Sequence, residues 1–282
     1  MSSAIAELQA GQPVEGVFAC TRKDLLTART GTPYLALELR DRSGTIRARA
    51  FRDAQLLASG FDRGDLVWVA GRTGRFREEL QLELSAVRRA DTEAAAPEEF
   101  LPRAYRDVEE LDGFLEHLAR EVHDPALTQL LARFLDDDVF RAAFRRAPCT
   151  RDGHHAYLGG LLEHTVAVAT LAQETCILHP RLDSDVLVSA AILHDAGKTR
   201  EWDLGAEIGR SDEGRLLGHV ALGDQLVAER ARGLASERVL AVRHCVLTHH
   251  GDGRFCSAEA LALHRLNALD AGVKGALEHG LR

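Results

Sequence analysis

From residue 14 to about residue 90, apolar and polar residues alternate; beyond residue 106, apolar residues return every three or four positions. Period two belongs to strands with one buried face, and a period near 3.6 belongs to helices. The change of period therefore divides the chain into two regions that build different layers. Between them, "DTEAAAPEEFLPRAYR" (91–106) is a Pro/Ala/Glu stretch that reads as a linker. The expected organisation is a β domain over 1–90, a linker over 91–106 and a helical domain over 107–282. A chain of 282 residues is long enough for two cores.

Five segments carry the period-two pattern: "VEGVFAC" (14–20), "PYLALELRD" (33–41), "TIRARAFR" (45–52), "DLVWVAGR" (65–72) and "LQLELSAVRR" (80–89). Turn residues separate most of them, and a short apolar helix near "DAQLLASG" (53–60) falls between the third and fourth. Five strands with a helix after the third is the layout of an OB-fold barrel, a plain small β-barrel being the alternative. In the second half, Asp107-x-x-Glu110 reads as a capping box and Asp124-Pro125 as an N-cap followed by an N1 proline. Further helices are expected over 137–146, 160–178, 184–195, 219–233, 236–249 and 257–271, giving an all-α bundle.

Charge is unevenly divided. Residues 1–90 hold 14 Lys and Arg against 11 Asp and Glu, whereas the remainder holds 21 against 32, within a net charge of −8. A mildly basic half joined to an acidic half suggests a binding module and a module of another kind. The five cysteines show no paired spacing and read as packing residues in a reducing compartment. No apolar run approaches the roughly 20 residues that span a bilayer, and the N-terminus lacks the basic-then-apolar pattern of a secretory signal. A cytoplasmic protein without a membrane partner is expected; a homo-oligomer is left open.

Thirteen histidines are many, and several interrupt apolar helix patterns: His164 in "GGLLEHTVAVA", His219 in "LLGHVALG", and His249-His250 in "VLTHHGDG". A lone histidine of this kind is usually a hydrogen-bonded packing residue. Four helices each supplying one, together with the pair His194-Asp195, would bury costly polar groups unless something common satisfied them. A divalent metal does so, because neutral imidazole and carboxylate are its ordinary ligands.

The order H…HD…H…HH…(N/D) resembles the HD superfamily of metal-dependent phosphohydrolases. "HHAYLGGLLEHT" (154–165), "LHDAGK" (193–198), "LLGH" (216–219), "LTHHG" (247–251) and "LHRLNALDA" (263–271) look like the YhaM-type 3′→5′ exoribonucleases, which join an N-terminal OB-fold to a C-terminal HD domain. The similarity runs from about residue 11 to near the end of the chain. It implies hydrolysis of single-stranded RNA, and often DNA, from the 3′ end, with manganese favoured and two ions per site.

By that resemblance His164, His194 and Asp195 carry one ion, with an acidic ligand from the last helix. His219, His249 and His250 are placed for a second ion, and Asp195 bridges the two. Asp195 and Lys198 are the expected catalytic residues, Lys198 as a point charge on a phosphate with Gly197 ending the helix. His154 and His155 either line the site or are structural. The family's last motif is Asp-x-x-Asp-Ala; here Asn267 stands at the first position and Asp270 keeps the second.

OB-folds bind strands with a basic groove and aromatic stacking. The candidates are Tyr34, Phe51 and Phe76 with Arg47, Arg49, Arg52, Arg75 and Arg77, whereas Trp68 in "LVWVA" is expected in the core. Phe76 is the favoured stacking residue, on the expectation that "GRTGRFREE" is a loop between the last two strands. Two other functions fit the residues: an HD nucleotide phosphohydrolase with a regulatory OB domain, and a strand-binding protein whose HD site is weakened at Asn267.

Overall fold

A computed structural model describes residues 4–90, 97–234, 236–251 and 254–280. Linker residues 91–96 lie outside the described residues. The chain divides into two compact units: Met1–Pro102 with Leu204–Gly209, and Arg103–Asp203 with Arg210–Arg282. Among the described residues, no helix is long and apolar enough to cross a membrane.

The first unit is an OB-fold barrel. Strands β1 (Pro13–Thr27), β2 (Pro33–Asp41), β3 (Gly44–Ala50), β4 (Leu66–Phe76) and β5 (Glu79–Arg89) close in the order β1-β2-β3-β5-β4. The β3–β5 pairing is parallel and the other four are antiparallel. Helix α1 (Ala54–Ala58) sits between β3 and β4, as the sequence predicts. Alternate residues fill the interior: Leu35, Leu37 and Leu39 from β2, Val67 and Val69 from β4, Leu82 and Leu84 from β5. A register shift at Ala70/Gly71 bends β4. A Cβ at Gly71 would lie 2.3 Å from the Glu83 carbonyl oxygen, so only glycine allows that approach.

Two expectations are corrected here. Trp68 is not in the barrel interior: between inward-facing Val67 and Val69 it points outward, onto a smaller cluster of Ala19, Leu66, Ala90, Phe100 and Ala206. Residues 71–79 are also mostly strand. The β4–β5 turn is only Arg77-Glu78, both left-handed at φ 51° and 67°. Two-residue hairpin turns of this type favour Asn-Gly or Asp-Gly, and Arg-Glu does not read as one.

The second unit packs helices α2 (Val108–Arg120), α3 (Pro125–Leu135), α4 (Asp138–Arg146), α5 (Gly160–Leu178), α6 (Ser184–Leu193), α7 (Lys198–Glu201), α8 (Asp212–Leu216), α9 (Gly218–Arg230), α10 (Glu237–Thr248) and α11 (Ala258–His279). Side-chain caps start many of them: Asp107 on α2, Asp124 on α3, Asp137 on α4, Asp183 on α6, Ser236 on α10 and Ser257 on α11. Helix α6 is buried on every side from Val186 to Leu193, which is why its sequence is an apolar run rather than a stripe.

Two features depart from the expected bundle. A two-stranded ribbon, β6 (Trp202–Leu204) with β7 (Ile208–Arg210), interrupts the helices, and its tip counts with the barrel unit. There Arg40 of the barrel donates to the carbonyls of Phe100 and Ala206 at 3.0 and 2.6 Å. The last helix also continues to His279, well past residue 271.

Candidate functional site

Helix α6 ends at Leu193 and presents His194 and Asp195 in the turn that follows, both fully buried. Gly197 is not a helix terminator of the left-handed kind, as its φ is −64°. A Cβ there would meet the His219 carbonyl oxygen at 2.0 Å and the Gly223 nitrogen at 2.5 Å. The glycine lets the backbone of α9 pass against the turn, and this brings His219 to Asp195.

Four imidazoles converge on one carboxylate. His164 and His194 place Nε2 at 3.5 and 3.3 Å from Asp195 Oδ2, while His219 and His249 place Nε2 at 3.5 Å from Asp195 Oδ1. His250 joins the second pair, its Nε2 2.8 Å from that of His219. The other ring nitrogen of each of the four is already committed. Nδ1 of His194 donates to the Ala191 carbonyl and Nδ1 of His249 to the Val246 carbonyl, at 2.8 and 2.6 Å. His164 Nδ1 lies 2.6 Å from Asp270 Oδ2, and His219 Nδ1 3.1 Å from Glu201 Oε2. A carbonyl or carboxylate oxygen can only accept, so Nδ1 of His164, His194 and His249 carries the proton and the Nε2 of each offers a lone pair.

That donor set fits divalent cations. His164 and His194 stand Nε2 to Nε2 at 3.2 Å with no proton to share, and Asp195 Oδ1 and His249 Nε2 are buried without a hydrogen-bond partner among the described residues. Lone pairs facing one another across a buried space are repulsive until a cation lies among them. Two clusters have ligand spacing and share Asp195: His164, His194 and Asp195, and Asp195, His219, His249 and His250. Protonation agrees with this. Burial pushes His164 down to about 4 and His250, next to His249 and His219, down to about 3. Burial would raise Asp195, but the Lys198 ammonium 2.6 Å away outweighs it and holds the carboxyl well below its usual range.

The last helix contributes differently at its two positions. Asp270 touches the far edge of the His164 ring and also lies 3.1 Å from His155 Nε2, so it orients His164 from outside. Asn267 is buried and lines the cavity next to the imidazoles, with no side-chain hydrogen bond to another described residue. Behind Asp270, Tyr157 donates to Glu163 at 2.8 Å and lies 2.8 Å from His155 Nδ1. Burial would lower His155, but Asp270 and Glu163 outweigh it and raise it. His154 lines the cavity, whereas His155 stands behind it.

Lys198 is buried, its Nζ 2.6 Å from Asp195 Oδ2 and 3.3 Å from Cys149 Sγ. It reaches the cavity wall as the counter-charge of Asp195 rather than as a free cation. The cavity holds about 430 Å³ and is also lined by Arg151, Trp202 and Arg210. Glu201, which lies 3.1 Å from His219 Nδ1, belongs to none of the sequence motifs. The one local hint was the acidic residue three positions after Lys198, within reach of the same turn.

In the barrel unit most of the expected nucleic-acid residues form one patch. Arg49 packs its guanidinium 4.8 Å from the Phe76 ring centre and 5.6 Å from that of Tyr34, and Tyr34 stacks on Phe51 at 5.5 Å. Arg77 covers Phe76 at 5.4 Å, and Arg47 pairs with Glu79 in the same cleft. Phe76 ends β4 and is 47% exposed. Arg75 pairs with Glu78 instead, and Arg52 is exposed.

Barrel and centre together define an OB-fold protein carrying an HD-type, divalent-metal phosphohydrolase domain. The HD domain family matches residues 161–272, and the OB-fold nucleic acid binding domain family matches residues 19–89. The chain belongs to the YhaM family of 3′-5′ exoribonucleases. It is 31% identical to the 3′-5′ exoribonuclease YhaM of Bacillus pumilus, over 89% of this chain and 83% of that one. It is 30% identical to that of Bacillus subtilis (96% and 88%) and 28% identical to that of Halalkalibacterium halodurans (96% and 87%).

Proposed function

We propose that this protein is a metal-dependent 3′→5′ exonuclease acting on single-stranded RNA and also on single-stranded DNA. The observation that carries the reading is the convergence of four imidazole Nε2 atoms on both oxygens of Asp195. His164, His194 and Asp195 would hold one Mn²⁺; His219, His249 and His250 would hold a second, with Asp195 bridging. Bound there, the ions supply a nucleophilic water at neutral pH and Lewis-acid stabilisation of the attacked phosphate.

The chain's own residues do the rest. Asp270 fixes the tautomer of His164, keeping its Nε2 deprotonated, and Glu201 holds the His219 ring from its Nδ1 edge. Lys198 balances the buried Asp195 charge, and Arg151 and Arg210 on the cavity wall attract the phosphate. Phe76, Arg49, Arg77, Tyr34 and Arg47 form the surface on which the strand stacks and pairs its backbone charge. Polarity of attack and RNA as substrate follow from the family.

The test uses short 5′-labelled RNA and DNA strands with Mn²⁺ or with chelator. Stepwise shortening from the 3′ end, abolished by chelator, is the expected result. Turnover of free nucleotides with intact strands would replace this reading with that of a nucleotide phosphohydrolase.

A further inference from the structure

Cys149 has no part in the chemistry above. It lies between α4 and α5, fully buried yet on the cavity wall. Its Sγ is 3.6 Å from His154 Nε2 and accepts a hydrogen bond from Lys198 Nζ. Ligand atoms of Cys149, His154 and His164 all lie within 4.8 Å of one another. A thiol alone would be no site. Two imidazoles at ligand spacing from it make a Cys-His-His set, the chemistry that tetrahedral zinc prefers over harder ions. With Zn–S about 2.3 Å and Zn–N about 2.0–2.1 Å, the S···N edge of such a tetrahedron is about 3.5 Å, close to the 3.6 Å between Sγ and His154 Nε2.

We infer that Cys149, His154 and His164 form a separate thiophilic site that takes Zn²⁺ or a similarly soft divalent ion in competition with the activating metal. The competition lies in one atom. Asp270 occupies His164 Nδ1, so Nε2 is the ring's only free donor, and Nε2 also faces His194 and Asp195. One lone pair serves one ion. An ion drawn toward Cys149 takes His164 away from the first cluster, and the thiol proton leaves to solvent as the Zn–S bond forms. Hard Mn²⁺ gains little from sulfur and stays with the carboxylate and imidazoles; a soft ion has reason to move over. The inhibitory consequence rests on the exonuclease reading, whereas the site itself does not.

Cobalt reports the site directly, because a Co²⁺–thiolate bond adds a sulfur-to-metal charge-transfer band in the near ultraviolet. The full-length protein, Cys149→Ser and His154→Gln are titrated with Co²⁺. The band should saturate in the parent protein, disappear in Cys149→Ser, and require roughly tenfold more cobalt in His154→Gln. In parallel, Zn²⁺ is added to Mn²⁺-supported hydrolysis, with each protein measured against its own rate. The zinc midpoint should rise roughly tenfold or more in Cys149→Ser. No band in the parent, a band intact in Cys149→Ser, or an unchanged zinc midpoint overturns the proposal. Should Cys149→Ser fail to fold, unchanged cobalt affinity in His154→Gln overturns it equally. A band without any nuclease activity upholds the site and removes the exonuclease reading instead.

Discussion

His164 and His194 face each other Nε2 to Nε2 across 3.2 Å, each with its Nδ1 proton already given to an oxygen. The two residues come from different helices and meet at the carboxylate of Asp195, which also serves the second imidazole pair through its other oxygen. A centre built on one shared carboxylate makes sharp demands on single substitutions.

Asp195→Ala should abolish hydrolysis and empty both clusters while leaving strand affinity nearly intact, since the stacking patch belongs to the barrel unit. Metal content by elemental analysis and strand affinity by fluorescence anisotropy are the two measurements. Near-normal turnover in Mn²⁺ would end the shared-carboxylate assignment.

Lys198→Met removes the buried partner of Asp195 at 2.6 Å. Leaving a buried charge unpaired costs about 3–5 kcal/mol, so the metal-free variant should melt well below the parent protein. Mn²⁺ should recover part of that loss by neutralising Asp195 in place of the ammonium. Calorimetry with and without metal checks this; an equal loss in both conditions would show that metal does not reach Asp195.

Phe76→Ala should weaken strand binding by about 1–3 kcal/mol, the scale of one lost base stack. The ring is 47% exposed, so stability should hardly change. Hydrolysis of a dinucleotide, too short to use the stacking patch, should be little affected. If long and short substrates suffer alike, the stacking role is wrong.

The last helix separates direct from indirect support. Asp270→Asn replaces the acceptor-only carboxylate with an uncharged amide that no longer fixes the His164 tautomer, and should loosen Mn²⁺ by about 10–100-fold. Asn267→Asp restores a carboxylate to the cavity wall and should tighten Mn²⁺ and raise activity at low metal. A manganese titration of both variants decides; no response from either would detach this helix from the metal.

Acid stability should depend on the helix caps. Arg238 and the amides of Leu127 and Ala126 hold Asp124 below its usual range, and the amides of Phe140 and Val139 with Arg230 do the same for Asp137. A carboxyl whose folded pKa is depressed contributes stability above its unfolded value, about 3.9, and loses it as pH falls through the lower folded value. Asp124→Asn should therefore flatten the decline of Tm below about pH 4. An unchanged acid limb would show that this cap is energetically silent.

Much of this was legible in the chain. Alternation over residues 14–90 placed five strands because each strand has a single buried face, and Asp107 and Asp124 marked helix starts because a cap is a bond between near neighbours. His164, His194, His219 and His249 stood out because imidazoles are costly inside apolar helices. Strand ends were harder. Arg77-Glu78 adopts a turn that its residue types do not advertise, and the ribbon over Trp202–Arg210 is too short to show a period.

What the sequence determined by itself was therefore local: period, caps, and the kinds of ligand available. Tertiary structure alone decided which atoms meet. Asp270 reaches the Nδ1 edge of His164 across 106 residues, Cys149 comes to Lys198 across 49, and Gly197 lets α9 close on the HD turn. These relations depend on helix packing at fractions of an ångström. A one-dimensional pattern carries the cost of burying a histidine, but not the direction in which its ring is turned.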